Sequence, residues 1–124
     1  MQQELRTLIT RHCGTIAGKV ESLAGIVTNL RHNPAHAGET LVMAIALTHD
    51  IRGSAGSIGF RDVFKTATNL EDALKVLSKK GDIPDAAAAA EAFEQMNALS
   101  DLALNLRPEA STLFDADLYG VARH

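Results

Sequence analysis

The stretch HDIRGSAGSIGF, from His49 to Phe60, combines one histidine with three glycines in a chain that otherwise has helical patterning. Glycine inside a helix costs about 1 kcal/mol relative to alanine, so this cluster requires a reason. At about 100° per residue, Arg52, Gly53 and Gly56 lie on the same side of a helix as His49. The spacing indicates an outward imidazole with a cation one turn away and bare backbone beside it.

This arrangement suits His49 for nucleophilic chemistry at a phosphoryl group. Near neutral pH a large share of histidine side chains is uncharged and nucleophilic. No Ser or Cys lies where it would form a catalytic triad with His49. A phosphorylated imidazole gains negative charge, with which the Arg52 guanidinium can pair. A neighbouring carboxylate would hold the proton of the other ring nitrogen and leave the attacking nitrogen free.

The residues around His49 divide into a core stripe and a candidate docking face. The core stripe lies opposite His49 on the helical wheel and consists of Leu47, Ile51 and Ile58, flanked by Ala44 and Ala55. The docking face lies on the histidine's side and consists of Val42, Ile45, Ala46, Gly53 and Gly56. Small residues there let another protein's backbone approach closely. The alternative interpretation is that Val42 and Ile45 belong to the core and that the glycines are an irregular helix end.

Apolar periodicity predicts four helices. The first runs from the start of the chain to the segment 32–38, where a proline disfavours helical geometry. Glycines in its middle allow a bend or break near Gly14. The second runs from near Glu39 through His49, and Gly59 ends it. The third carries its apolar face on Val63, Ala67, Leu70, Leu74 and Leu77. The fourth opens at the segment GDIPD, residues 81–85, and Pro108 limits it.

Four amphipathic helices with short loops predict an all-α fold, an antiparallel four-helix bundle. We expect the bundle to span residues 1–107 and a C-terminal tail to span 108–124. The tail forms either a short docked helix or a connection to more protein. The charges on the third helix are expected to form a solvated face with i, i+4 support, and they are Glu71, Asp72, Lys75, Lys79 and Lys80.

Composition excludes several function classes. The net charge is −3 and no basic run occurs, so nucleic-acid binding is disfavoured. No apolar run approaches the length of about 20 residues that a membrane span needs, and no signal peptide is recognisable. The single cysteine, Cys13, rules out an internal disulfide, suits a reducing cytoplasm and is expected to pack as a small core residue.

We expect no metal site and no nucleotide site. His32 and His36 have helical ligand spacing, but Pro34 lies between them and no third ligand is evident, so a loop with two solvated histidines is the simpler interpretation. His12 and Cys13 are adjacent and point about 100° apart on a helix, which makes joint ligation awkward. The glycines are not followed by the Lys-Ser/Thr pair of a phosphate-binding loop.

The stretch HDIRGSAGSIGF, together with FKTATNLEDAL at 64–74, resembles the histidine-containing phosphotransfer domain of bacterial phosphorelays. That family's motif is a His, a Lys and a Gly at the third and fourth following positions, a small residue, and a later Gly. These positions are occupied here by His49, Arg52, Gly53, Ser54 and Gly59. The sequence GSAGSIGF and the later Leu-Glu pair at 70–71 are also similar to the phosphorylated N-terminal domain of chemotaxis kinases.

The resemblance implies a four-helix bundle in which His49 accepts a phosphoryl group at its distal nitrogen. Gly53 then gives access, and Arg52 replaces the family's usual Lys, which keeps the charge but changes its geometry to a planar fork. Glu71 aligns with the glutamate that hydrogen-bonds the histidine in the chemotaxis relatives, and Thr68 stands where those relatives often carry a second histidine. The donor and acceptor are aspartates of receiver domains, and the receiver supplies Mg²⁺, so the chain needs no cofactor of its own.

We therefore expect a cytoplasmic phosphorelay intermediate, a phosphohistidine carrier and not an autonomous kinase. Its partners would be response-regulator receiver domains and a hybrid or upstream histidine kinase. Two alternatives stay open: the phosphoacceptor domain of a larger chemotaxis-type kinase, and a helical adaptor that binds a receiver without accepting phosphate. His49 discriminates against the adaptor, which would not need it.

Overall fold

Four long helices make up most of a computed structural model that describes residues 2–32, 37–79 and 86–114. Their bounds are Gln2–His32 for α1, Ala37–Ile58 for α2, Arg61–Lys79 for α3 and Ala86–Leu104 for α4. A single 3₁₀ turn, Pro108–Ala110, follows α4. The described residues form no strand, which confirms the all-α fold.

The helices form a ring in chain order. Each packs on its neighbour in sequence, and α1 closes the ring by packing against α4. Since the connections are short, successive helices run in opposite directions, which confirms the antiparallel four-helix bundle. The apolar stripes of the helices meet in one central core, which includes Ile16, Leu23, Ile51, Leu70 and Leu99.

Helix α1 runs without interruption through Gly14, so the break considered there does not occur. The space beside Gly14 is open, and the helix is held by its buried stripe, which includes Ile9, Cys13, Ile16 and Val20. Tertiary packing of such a stripe outweighs the weak helix propensity of single glycines. Helix α1 is described as far as His32, and residues 33–36 of the segment predicted to stop it lie outside the described chain.

Helix α2 buries the predicted stripe. Its buried apolar residues are Ala44, Ile51, Ala55 and Ile58, and Leu47 is half-buried. Thr48 is also buried, and its hydroxyl donates to the carbonyl of Ala44 at 2.6 Å. This bond satisfies the hydroxyl inside the helix, so a polar residue can occupy a core position that apolar periodicity does not reveal.

The turn between α2 and α3 depends on Gly59, whose φ of +84° lies in the left-handed region. The next residue, Phe60, is buried, and its N–H donates to the carbonyl of Ala55 at 2.9 Å. These contacts confirm that Gly59 ends the second helix. The apolar face of α3 is also confirmed, with Val63, Ala67, Leu70 and Leu74 buried and Leu77 half-buried. The capping segment predicted at 81–85 lies outside the described residues.

The described part of the tail docks on the bundle. Ser111 is buried, and its hydroxyl donates to the carbonyl of Ile58. The N–H of Thr112 donates to the carbonyl of Gly59 at 2.9 Å, and the Arg6 guanidinium lies 4.5 Å from the centre of the Phe114 ring. A docked segment is therefore present, although its only helical turn is Pro108–Ala110. Leu118 and Tyr119 lie outside the described residues, and the division at residue 107 stays a prediction.

Cys13 packs in the core between α1 and the chain that follows α4. Its thiol donates to the carbonyl of Leu106, with 3.3 Å between Sγ and the oxygen. Burial, and secondarily the charge of Glu109, raises the pKa of the Cys13 thiol. The thiol is therefore a poor nucleophile that fills space, as the sequence predicts.

Candidate functional site

His49 stands on the outer surface of α2. Its neighbours Thr48 and Ile51 are fully buried, so the rotation of the helix that buries them turns the imidazole outward. The His49 side chain is 63% exposed. The His49 side chain therefore points outward, as predicted, because the core stripe lies on the opposite side of the same helix.

Helix α3 brings Glu71 to the inner edge of the imidazole. The Glu71 side chain is only 2% exposed, and its Oε2 lies 3.1 Å from Nδ1 of His49, with Oε1 at 3.4 Å. The two residues are 22 positions apart in sequence, so only the packing of α3 against α2 creates this contact. Glu71 thus reaches the histidine as the resemblance to chemotaxis kinases implies.

Two cations hold the buried carboxylate from different helices. Arg52, one turn after His49 on α2, places Nη1 3.2 Å from Oε1 of Glu71. Lys75, one turn after Glu71 on α3, places Nζ 3.0 Å from Oε2. The prediction that the charges of α3 form a solvated face is wrong for Glu71. Its carboxylate faces α2 and is sealed there because these donors replace water.

These contacts also set the protonation of Glu71. Burial alone would raise the pKa of the Glu71 carboxyl, but hydrogen bonds from Lys75 and His49 and the charge of Arg52 outweigh it and hold this pKa below its ordinary value. The carboxylate is therefore ionised at neutral pH and can only accept hydrogen bonds. In neutral His49 the proton consequently lies on Nδ1, and the lone pair of Nε2 faces outward as a nucleophile.

The structure places Arg52 differently from the sequence-based expectation. That expectation pairs Arg52 with a phosphoryl group on His49. In the structure one arm of its guanidinium is engaged by Glu71, and the side chain is about one-third exposed. The planar fork has five N–H donors, so the contact with Glu71 occupies only part of it.

Two members of the charged surroundings were not singled out by sequence reasoning as site residues. Lys75 had a usable signal, because its i, i+4 spacing from Glu71 is a standard helical ion pair. Lys19 had none, since it lies on α1 and reaches the site only through the fold. Its Nζ lies 2.7 Å from the carboxylate of Asp50, the residue next to His49.

The glycines of the site differ in their surroundings. A side chain at Gly53 would meet nothing within 4 Å, so the surface beside His49 is open there. At Gly56 a Cβ would lie 3.1 Å from the ring of Phe64 on α3. The smallness of Gly56 therefore makes room for a side chain of the same molecule, which differs from the expected clearance for a partner.

The apolar residues of the predicted docking face are unequally accessible. Val42 is 65% exposed, Ala46 is exposed, and Ile45 is half-buried and packs against the core. The alternative that assigns Val42 to the core is wrong, while Ile45 contributes to the core from its edge. Met43, which the sequence analysis did not include, is also exposed beside Val42.

Other sequence candidates bond within their own helix or lie outside the described residues. Thr68 donates its hydroxyl to the carbonyl of Phe64 at 2.8 Å. The side chains of His32 and His36 are outside the described residues. Among the described side chains, no group of three His, Cys, Asp or Glu residues is arranged to hold a metal ion. Within the same residues, no helix combines the length and hydropathy that a membrane span requires.

Comparison with known protein families identifies a match. A family model described as "Hpt domain" matches residues 4–107, which include His49, Glu71 and both cations that contact Glu71. A search of curated proteins and a search of solved structures each returned no significant match.

Proposed function

The chain belongs to the Hpt domain family, which performs histidine phosphotransfer in two-component signalling, and we propose that His49 is the residue that receives the phosphoryl group. The observation that carries this proposal is the contact between Nδ1 of the exposed His49 and the buried, ionised Glu71. It leaves Nε2 unprotonated and accessible, as a nucleophile must be. Hpt domains carry phosphoryl groups and are not autonomous kinases.

The transfer step needs only the His49 imidazole, its Glu71 partner and the aspartyl phosphate of a receiver. The Nε2 lone pair attacks the phosphorus of an aspartyl phosphate on a receiver domain. The N–P bond forms as the P–O bond to the aspartate breaks, and the carboxylate leaves. The ring proton stays on Nδ1, where Glu71 stabilises the positive charge that the ring acquires. Phosphoryl transfer asks mainly for positioning and charge neutralisation, so a helical carrier with one oriented imidazole is sufficient.

We propose that the receiver docks on the exposed part of the face around His49, at Val42, Ala46 and Gly53. These residues present an apolar side chain and bare backbone one or two turns from the imidazole, which favours close approach. The receiver would bring the Mg²⁺ that neutralises its own phosphoryl group. The partners would be receivers and a hybrid or upstream kinase in the cytoplasm, and the chain would pass the group from one receiver to another.

A second candidate function is the phosphoacceptor domain of a larger chemotaxis-type kinase. The observation that favours it is the 3.1 Å contact between Glu71 and His49, since the resemblance implies this contact for those relatives. In that case ATP and the kinase's catalytic domain would phosphorylate His49 directly. The two functions are separated by incubating the protein with each donor in turn. A relay intermediate takes phosphate from a phosphorylated receiver, and a kinase phosphoacceptor domain takes it from ATP and the catalytic domain.

The test is phosphoryl uptake from a receiver charged with a small phosphodonor. Wild-type protein should acquire phosphate that is acid-labile and base-stable, and His49→Gln should acquire none. His12→Gln is the matched control, because His12 is a histidine on another helix, and it should be labelled like the wild type. Label on His49→Gln, or no label on the wild type with any receiver of its host, would refute the proposal.

A further inference from the structure

Lys75 has no place in the transfer step described above, yet it shares an acceptor atom with His49. Its Nζ lies 3.0 Å from Oε2 of Glu71, and Nδ1 of His49 lies 3.1 Å from the same oxygen. The other oxygen, Oε1, accepts from Arg52 at 3.2 Å. Each carboxylate oxygen therefore has one cation, and the imidazole lies against the edge between them.

This arrangement removes a freedom that a glutamate ordinarily has. The terminal torsion of a glutamate side chain is broad, so its carboxylate plane rotates easily unless both oxygens are held. A single cation would leave that plane free to swing. Two cations on different helices define the plane, and with it the direction in which Oε2 presents its lone pair to Nδ1.

An ordinary surface ion pair does not describe the Lys75–Glu71 contact. Exposed i, i+4 pairs contribute only about 0.3–0.5 kcal/mol and need no functional explanation. Here the lysine is 49% exposed, but its partner is only 2% exposed. Loss of the lysine would leave one oxygen of a buried carboxylate with the imidazole as its remaining described partner. The orientation of that oxygen toward Nδ1 of His49 would then change.

We propose that Lys75 is a positioning residue for His49: together with Arg52 it holds the Glu71 carboxylate so that the imidazole keeps its proton on Nδ1 and presents Nε2 to the phosphoryl group. This inference rests on the proposed function for its meaning in phosphotransfer. The geometry of the clamp itself does not depend on that function. Arg52 then has a positioning role in addition to any contact with phosphate.

The test is the tautomer of the His49 ring, observed by long-range proton–nitrogen correlation spectra of ¹⁵N-labelled protein at alkaline pH, where histidine side chains in general are uncharged. Wild type should show a protonated Nδ1 and an unprotonated Nε2. Lys75→Met should move the two nitrogen shifts toward each other, as the two tautomers exchange. Lys75→Arg, which keeps a cation, should restore the wild-type pattern.

Lys65→Met is the matched control, because Lys65 is an exposed lysine on the same helix, two turns before Glu71. It should leave the ring spectrum unchanged. Phosphoryl uptake by Lys75→Met should fall by about tenfold, the lower end of the range seen when the outer partner of a metal-binding histidine is lost. A Lys75→Met spectrum equal to wild type, or an equal change in Lys65→Met, would overturn the inference even if His49 is phosphorylated. Absence of uptake by the wild type would refute the proposed function and leave the spectral result intact.

Discussion

At the scale of single residues, Glu71 determines how the imidazole is presented. It is a carboxylate with 2% exposure that contacts His49, Arg52 and Lys75. A buried charge is tolerated only when such partners replace its hydration. The same contacts that stabilise the folded chain therefore also orient its nucleophile.

Glu71→Gln should lower the free energy of unfolding at neutral pH by about 1–2 kcal/mol, since charge-assisted hydrogen bonds are lost. The folded-state pKa of Glu71 lies below the ordinary value of 4.5. The ionised group therefore contributes stability above that pH, and the contribution is lost as the pH falls through the lowered folded-state pKa. The difference between wild type and Glu71→Gln should persist at neutral pH and decline below about pH 4.5.

Urea titrations at a series of pH values measure this difference. Asp72→Asn is the matched control, because Asp72 is an exposed carboxylate on the same helix. A Glu71→Gln variant as stable as wild type at neutral pH would show that the two cations do not compensate for burial of the carboxylate.

Gly53→Leu tests access to His49. The space beside Gly53 is open, so the new side chain fits the fold and should leave the helical circular-dichroism spectrum intact. It would stand where a receiver must approach, and displacement of the reacting groups by about 1 Å can cost about 100-fold in rate. We therefore expect phosphoryl uptake to fall by about that factor.

Gly25→Leu is the matched control for this substitution. Gly25 is also an open helical position, but it lies on α1. The control should take up label like the wild type. Unchanged uptake by Gly53→Leu would remove the proposed docking of a receiver over this glycine.

At the scale of secondary structure, the turn between α2 and α3 sets the register that brings Glu71 to His49. Gly59 makes this turn with φ of +84°, and a Cβ there would lie 3.0 Å from the backbone nitrogen of Thr112. The glycine is thus required both by its conformation and by the tail that lies over it.

Gly59→Ala should destabilise the protein by about 1–3 kcal/mol, the cost of a left-handed conformation for a residue with a side chain. Gly14→Ala, at an open position inside α1, should be neutral or stabilising by up to about 1 kcal/mol. Chemical denaturation of both variants measures the contrast. Equal stability of the two would mean that the turn relaxes at little cost.

At the scale of the whole molecule, the segment 108–114 connects parts of the bundle that are far apart in sequence. Ser111 and Thr112 bond to the α2–α3 turn, and the carbonyl of Phe114 accepts from Nε of Arg6 near the start of α1 at 3.2 Å. The match to the family model ends at residue 107, so this attachment lies beyond the matched region.

A chain ending at Arg107 should melt at a lower temperature than one ending at Phe114, by about 5 °C, because the buried hydroxyl contact and the packing of Phe114 are lost. Both truncations lack residues 115–124, so the comparison isolates the docked segment. Thermal unfolding followed by circular dichroism gives the two midpoints. Identical midpoints would show that the tail contributes nothing to the stability of the bundle.

Local periodicity was sufficient to predict the four helices, the outward direction of His49 and the turn at Gly59. Each of these depends on spacing within one helix or on the conformational range of one residue, which the sequence carries directly. The continuity of α1 through Gly14 was not predictable in this way, because packing against the other helices outweighs local propensity.

The chemistry around His49 was decided by the tertiary structure. The antiparallel register of α2 and α3 buries Glu71, directs Lys75 and Arg52 to its two oxygens, and places Phe64 over Gly56. The packing of α1 adds Lys19 beside Asp50. Residue type and spacing alone identified the candidate nucleophile. Only the fold decided which charges surround it, since contacts between helices depend on their relative rotation and register, and no spacing within a single helix encodes those.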